Sequence, residues 1–450
     1  MTRSGSLARL AVLMLLVHVA CGGGPAATTT PPTAAPTVES AWLRGVVVPF
    51  SGADPSSSLD DLEPLRGMVG TARVVALGEA THGTREFFQM KHRVVRFLVE
   101  RMGFTAFGIE ATMPECERID RYVRSGEGDP EVALSGQYFW TWRTEEVWAL
   151  MQWMRGHNGA GGHVGFHGFD MQYPGMAIHN VQRFVRDVDE GSSVEFEQRL
   201  ECLRRYANDW TGQFPSPRYE AQPAAYRDAC LADLRWVLDA LSEREAQYAR
   251  RSSPAEAAWA VRYARLAVQY EESASARVPF ARDTAMAENA TWLREQLGPD
   301  GKIVLWAHNG HVATRSGAMG DSLRRTFGAD MVVMGFSMGR GTFTAVGQGA
   351  VSGLSTFSAG DPKPASYEDY FWSTGQPQFL LDLRHRDAQS PDVAWLFGPR
   401  SVRSIGCCYD PAHADNYWYA GRLPQEYDVL IYFDKTNPSR LLRYVAPTSF

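Results

Sequence analysis

Four short segments of this chain carry carboxylate and imidazole side chains at spacings that suit acid–base chemistry. GEATHG places Glu79 three residues before His82, and GIEA carries Glu110. HGFDMQ contains His167, Asp170 and Gln172, and AHNGH contains His308 and His311. An imidazole has an ordinary pKa of about 6.5, so near neutral pH it can take a proton and return it. A carboxylate on one ring nitrogen fixes the tautomer and leaves the other nitrogen free as the base. Such a base contributes about 10²- to 10⁴-fold in rate, and a donor aimed at a developing oxyanion contributes a comparable factor.

Each of these segments follows an apolar, β-branched run. RVVAL at 73–77 leads into GEATHG, TAFGI at 105–109 ends at Glu110, VGF at 164–166 leads into HGFDMQ, and KIVLWA at 302–307 leads into AHNGH. MVVMGF at 331–336, FLLDL at 379–383 and DVLIYF at 428–433 are further candidate strands. Between them lie helical spacings: over 84–102, Phe87, Met90, Val94, Leu98 and Met102 recur every third or fourth residue, and Gly103 supplies a stop. Alternating strands and amphipathic helices predict an α/β fold, with a largely parallel or mixed central sheet and flanking helices. Ligands of such sheets bind beyond the carboxyl ends of the strands. A single Glu or His there is most often a cap or a satisfied core group, but four in one topological position point to a shared site. From about 176 to 297 no strand is legible, and 226–250 and 254–275 read as long helices. This stretch is expected to be a helical insertion acting as a cap over the sheet's edge.

The ends and the composition set the context. Arg3 and Arg9 precede an apolar run from Leu10 to Ala20 that ends at Cys21. The run is about half the roughly 20 residues that span a bilayer, so residues 1–21 read as a signal peptide. Cys21 after Val19 and Ala20 and before Gly22 looks like a bacterial lipoprotein processing site, although His18 replaces the usual aliphatic residue. Residues 22–40, rich in Pro, Thr and Ala, are expected to be a disordered tether, leaving 41–450 as the folded domain. The expectation is an exported protein held to the cell envelope by a lipid on Cys21, touching membrane through that anchor alone. With 44% hydrophobic and 12% aromatic residues the 450-residue chain can bury a large core, and a net charge of -6 without basic clusters gives no footprint for nucleic acid. Five further cysteines are Cys116, Cys202, Cys230, Cys407 and Cys408. An oxidising compartment permits disulfides, and Cys202 and Cys230 flank a helix–loop–helix turn, but structural or incidental roles are expected for all five.

VVALGEATHGTREFF, FGIEA, GFDMQ, RDTAMAEN and KIVLWAHNGHVA follow one another in an order that resembles the erythromycin esterase family, from about Ala41 to the C-terminus. The resemblance implies a hydrolase that opens an ester or macrolide lactone with a histidine-activated water and no metal or other cofactor. It implies His82 as general base, with Glu79 and Glu110 orienting the ring and the water. It implies that His308 and His311 bind substrate or stabilise the oxyanion, and that Arg282 in RDTAMAEN is functional. A basic residue is also expected on the helix after GEATHG, where Lys91 and Arg93 both stand. Asp170 and Gln172 belong to a recurring motif, and with Arg93 they are candidates for substrate binding. The partner implied is a small ester or lactone.

Other readings compete. GFSMG at 335–339 matches the nucleophile elbow of serine esterases, with Ser337 followed by Asp382, His385 and His413. The elbow demands a helix directly after the serine, and MGRGTFTAVGQGAV has no helical period. His82, His308, His311, Glu79 and Glu110 are also adequate ligands for zinc. Relatives in the wider superfamily bind metal or haem, so a metal- or haem-binding envelope protein is the alternative class. A non-catalytic small-molecule binder would be expected to have lost part of this set, and none of it is missing. The aromatics YFWTW at 138–142 read as core, or as the wall of an apolar pocket.

Overall fold

The computed structural model describes residues 38–207, 216–277, 279–384 and 386–443. Cys21, the apolar run before it and most of the tether lie outside the described residues, as does His385. The tether expected over 22–40 gives way at Val38, where the helix Val38–Val46 begins. Its Leu43 is fully buried and its Trp42 meets Trp395 edge-on at 6.2 Å, so packing overrides the composition of the preceding residues.

The strands in chain order are β1 (Val48–Pro49), β2 (Val74–Leu77), β3 (Ala106–Thr112), β4 (Gly165–Asp170), β5 (Ile303–Trp306) and β6 (Met331–Gly347). There follow β7 (Gly353–Ser358), β8 (Gln378–Asp382), β9 (Arg400–Arg403), β10 (Cys408–Tyr409), β11 (Trp418–Gly421) and β12 (Val429–Thr436). The main sheet has the order β1-β8-β12-β6-β2-β5-β3-β4, with β7 and β10 also paired to β6. From β12 to β4 every neighbouring pair is parallel, whereas β8 runs antiparallel to β12 and β1 to β8. The fold is therefore α/β with a mixed, largely parallel sheet.

The strands are apolar without alternation because both faces are covered. Successive side chains point to opposite faces. Val74 and Ala76 join Ala106, Ile303, Leu305, Met331 and Val333 in one core, while Val75 and Leu77 join Phe107, Ile109, Val304, Trp306 and Met334 in the other. Helix α1 (Arg85–Met102) buries Phe87, Phe88, Met90, Val94 and Leu98 in the second core. It ends at Gly103, whose φ of 73° is the left-handed conformation that only glycine adopts without strain.

Between Asp170 and Ile303 no strand occurs among the described residues. This stretch contains α2 (Gly175–Val188), α3 (Ser193–Arg204), α4 (Ala224–Arg251), α5 (Pro254–Ala274) and α6 (Ala281–Gln296). A disulfide joins Cys202 of α3 to Cys230 of α4. Helix α6 is tied to β4, the edge strand, by Asn289, which donates to the Phe169 carbonyl at 3.0 Å. The first turn of α6 consequently arrives beside the carboxyl ends of the strands. No described helix is long and apolar enough to cross a membrane.

Candidate active site

The adjacent strands β2, β5, β3 and β4 bring Glu79, His308, Glu110 and Asp170 to one edge of the sheet. The GEATHG turn is compact because its glycines have no space for a side chain. A Cβ on Gly78 would collide with Asn309, and one on Gly83 with the Thr344 backbone. Asn309 clamps the other side: its backbone N–H donates to the Glu79 carbonyl at 2.8 Å, and its side chain exchanges two hydrogen bonds with the Phe336 backbone.

Glu79 is fully buried and accepts three donors: His82 Nδ1 at 2.6 Å, Lys91 Nζ at 2.6 Å and Trp306 Nε1 at 2.9 Å. Burial by itself would raise its pKa, but the Lys91 charge and the His82 bond outweigh that and hold it below the usual carboxylate value. The same burial pulls Lys91 down to about 8, against the opposing charge of Glu79. Lys91 Nζ also lies 4.4 Å from the Trp306 ring centroid. With Nδ1–H donated to Glu79, His82 keeps Nε2 as its free lone pair, and Nε2 has no partner among the described residues. The His82 side chain is 12% exposed, so water reaches it. Burial would lower its pKa, but the Glu79 bond and the charges of Glu110 and Glu79 reverse this and raise it above the ordinary value.

Arg282, in the first turn of α6, binds two carboxylates at once. Its Nη2 lies 2.7 Å from Glu110 Oε1 and 2.8 Å from Asp170 Oδ2, and its Nε lies 3.3 Å from Asp170 Oδ1. Glu110 Oε2 accepts the His308 backbone N–H at 2.8 Å. Burial opposes the charged form of Glu110, yet His311 and Arg282 hold its pKa well below the ordinary value. His311 Nδ1 contacts Asp283 Oδ1 at 2.8 Å, and its Nε2 lies 3.3 Å from Glu110 Oε1 and 3.1 Å from Arg282 Nη1. Burial is overcome by Glu110 and by the Asp283 bond, and His311 is raised to about 9. His311 is thus a cation with both N–H groups directed at carboxylates. A cationic His311 cannot accept from Arg282, although one Nη1–H is directed at its Nε2 across 3.1 Å; the second Nη1 hydrogen has no partner among the described residues.

His308 differs. Its Nδ1 accepts the Gly310 N–H at 3.0 Å, so Nε2 carries the proton and donates to the Ile405 carbonyl at 3.2 Å. Burial, followed by the charges of His82 and His311, lowers it to about 3, so the ring is neutral. Both His308 nitrogens are thus committed to backbone partners in this arrangement. The four carboxylates Glu79, Glu110, Asp170 and Asp283 face three cations, Lys91, Arg282 and His311. Neutral His82 leaves one negative charge in the cluster, and a proton on His82 cancels it.

Three candidates fall elsewhere. Arg93 is fully buried but bonds Asp61 at 2.6 Å and the carbonyls of Gly52 and Ser58. Residues two positions apart on a helix are about 200° apart around its axis, so only Lys91 faces Glu79. Gln172 is half-buried just beyond Asp170 and joins none of these hydrogen bonds. His167 lies in β4 beside Asp120 and Arg124, outside the cluster. Lys91 stood unresolved beside Arg93 in the sequence. Trp306 and Asp283 were not anticipated, although Asp283 adjoins Arg282. Within the aromatic segment Trp142 is core: it is 2% exposed and meets the His82 ring edge-on at 6.0 Å.

The serine-elbow reading fails on geometry. Ser337 lies within β6, buried, with its hydroxyl 3.3 Å from Glu368 Oε1, and no helix follows it. Asp382 is paired with Arg384, and His413 with Asp410. Among the described residues no three His, Cys, Asp or Glu side chains converge as metal ligands.

Known proteins agree with this architecture. A solved structure of a Bacillus cereus protein superposes with a TM-score of 0.80 at 26% identity, covering 90% of this chain and 98% of that one. An erythromycin esterase EreC mutant in its open conformation superposes with a TM-score of 0.67 at 17% identity, over 86% of this chain and 96% of that one, a likeness of fold. Erythromycin esterase type II of Escherichia coli is 33% identical over 156 residues, which are 33% of this chain and 36% of that enzyme. The chain therefore aligns with only about a third of that relative's length. The erythromycin esterase family model matches residues 99–436, a span that begins after His82 and Lys91 but takes in Glu110, Asp170, Arg282, His308 and His311. That match runs through well over half of the sequence, and the chain belongs to the erythromycin esterase family.

Proposed function

We propose that this member of a hydrolase family cleaves a carboxylic ester, with a macrolide lactone as the candidate substrate, by attack of water activated at His82 Nε2. The observation that carries this reading is the His82 lone pair, left free by the Nδ1–Glu79 bond of 2.6 Å and backed by Lys91 and Trp306. His82 takes a proton from water as the oxygen attacks the carbonyl carbon. The charge that develops on the carbonyl oxygen meets the second Nη1 hydrogen of Arg282, held in place by Glu110 and Asp170. Collapse of the tetrahedral intermediate expels the alkoxide, which takes the proton back from His82. For a lactone both ends stay on one molecule, and its mass rises by one water. The surplus negative charge of the carboxylate cluster favours the imidazolium formed in the first step. His311 and Asp283 act by fixing Arg282 and Glu110 rather than by touching the reacting atoms.

The test is product analysis by mass spectrometry on a panel of macrolides and simple esters, with and without a chelator. Addition of one water, indifferent to chelator, supports the reading. Strict dependence on a metal would sink it. We also propose export and lipidation at Cys21, supported by the apolar run before it and by the Cys202–Cys230 disulfide, which suits an oxidising compartment. A Cys21→Ser chain that stays in the membrane fraction would refute the anchor.

A further inference from the structure

The segment Ser404–Tyr409 forms a strap across the site. Ile405 N–H donates to the Ala80 carbonyl at 2.7 Å, in the turn that carries His82, and the Ile405 carbonyl accepts from His308 Nε2 at 3.2 Å. Val346 N–H donates to the Cys407 carbonyl at 2.8 Å, and Cys408 pairs in register with Val346 as β10 joins β6. The strap is thus pinned at several points, and it presents two adjacent cysteines. Cys407 is exposed and Cys408 partly so, their sulfurs lie 2.9 Å apart, and neither is in the Cys202–Cys230 disulfide. Cys116 is buried and bonds Gln137, so it cannot serve as a partner for either. Cys407 and His82 are near enough that the charge of each acts on the other.

We propose that Cys407 and Cys408 are a dithiol modification site at the mouth of the active site, converted to a vicinal disulfide by exchange with low-molecular-weight or protein disulfides. The pair divides the work. Either sulfur can donate across the 2.9 Å contact, and with Cys407 as the donor its S–H stabilises the Cys408 thiolate. That bond brings the Cys408 pKa down to about 7, while the same bond pushes Cys407 up. A thiol whose pKa lies near ambient pH is the best attacking group. The Cys408 thiolate attacks one sulfur of R–S–S–R, the S–S bond breaks, and R–S⁻ leaves and is protonated. Cys407 then gives up its proton and attacks the Cys408 sulfur of the mixed disulfide, expelling the second R–S⁻. Two cysteine thiols lose two electrons and two protons, and one disulfide is reduced to two thiols. An oxidising compartment supplies such disulfides. Ring closure between neighbouring residues changes the backbone of a strap that contacts both the His82 turn and His308, so modification is coupled to the site.

The test uses the full chain with its Cys202–Cys230 disulfide intact, incubated with oxidised glutathione, quenched, alkylated and mapped by mass spectrometry. The peptide holding Cys407 and Cys408 should lose two hydrogens, resist alkylation, and recover both thiols after dithiothreitol. Cys407→Ser should stall as a glutathione mixed disulfide on Cys408. Cys408→Ser should react about tenfold more slowly, because an ordinary thiol is mostly protonated at neutral pH. Full alkylation of both cysteines after oxidant would overturn the proposal. So would a stable glutathione adduct on the unmutated chain without ring closure, or equal reaction of the two single variants. These readouts do not depend on ester hydrolysis, so they stand or fall separately from the proposed activity.

Discussion

Replacing Glu79 by Gln keeps the shape of the side chain and removes its charge, which isolates the electrostatic coupling to His82. The bonded atoms lie 2.6 Å apart, and the ring is 12% exposed. With the charge centres about 4 Å apart and an effective dielectric constant of about 20, the attraction between the carboxylate and the imidazolium is about 4 kcal/mol. One pKa unit corresponds to about 1.4 kcal/mol, so the His82 pKa should fall by up to about three units in Glu79→Gln. Burial acts in the same direction once the carboxylate is gone, so the ring should titrate below the ordinary histidine value instead of above it. The amide also meets two donors, Lys91 Nζ and Trp306 Nε1, where the carboxylate oxygen accepted both. Lys91, already at about 8, should then lose its proton more readily. The assay is NMR titration of the imidazole C–H signals, with the His82 resonance identified by its loss in His82→Asn. An ordinary or lowered His82 pKa in the unmutated chain would refute the reasoning, as would a change of less than about half a unit in Glu79→Gln.

Four further outcomes follow from the geometry. Lys91→Met leaves Glu79 buried without its cation and should destabilise the chain by about 3–5 kcal/mol in urea unfolding, whereas Glu79→Leu with Lys91→Met should recover much of that loss while remaining inactive. The pH profile of kcat/KM should be bell-shaped. Rate rises as His82 loses its proton above the ordinary histidine value, then falls near pH 8 as Lys91 is deprotonated; a flat profile from pH 6 to 9 would contradict both assignments. Arg282→Lys cannot hold Glu110 and Asp170 with one planar fork, and should lower kcat by about 10²–10³-fold with little change in KM, measured by steady-state kinetics. Removing the Cys202–Cys230 bridge, with a sequence separation of 28, should lower stability by about 3 kcal/mol, and an unchanged unfolding midpoint would count against it.

The sheet was legible because its strands are buried on both faces, so RVVAL, KIVLWA and DVLIYF stand out as unbroken apolar runs. Placing polar residues at the carboxyl ends of those runs was enough to gather Glu79, His82, Glu110, Asp170 and His308. His311 came with His308 in AHNGH, whereas Arg282 lies in the first turn of α6, and the family resemblance supplied it. Lys91 and Arg93 could not be separated by pattern, because both are fully buried on α1 and only three-dimensional packing gives one of them Glu79 and the other Asp61. The commitment of His308 to Ile405 was hidden for a different reason: its partner is a backbone carbonyl 97 positions away in a segment with no periodic signal. The continuation of β6 to Gly347 was also obscure, since Gly335, Gly339 and Gly341 interrupt a run of β-branched and apolar residues. Gly335 admits the Tyr427 ring and Gly341 the Thr436 backbone, so these glycines mark close packing and not the end of the strand.

The central claim is that His82 is the base. On whichever ester the protein turns over fastest, kcat of His82→Asn should fall by about 10²–10⁴-fold while Ser337→Ala retains the full rate, with both variants as stable as the parent. A His82→Asn enzyme within a few-fold of the parent, or an equal loss in Ser337→Ala, would contradict the account.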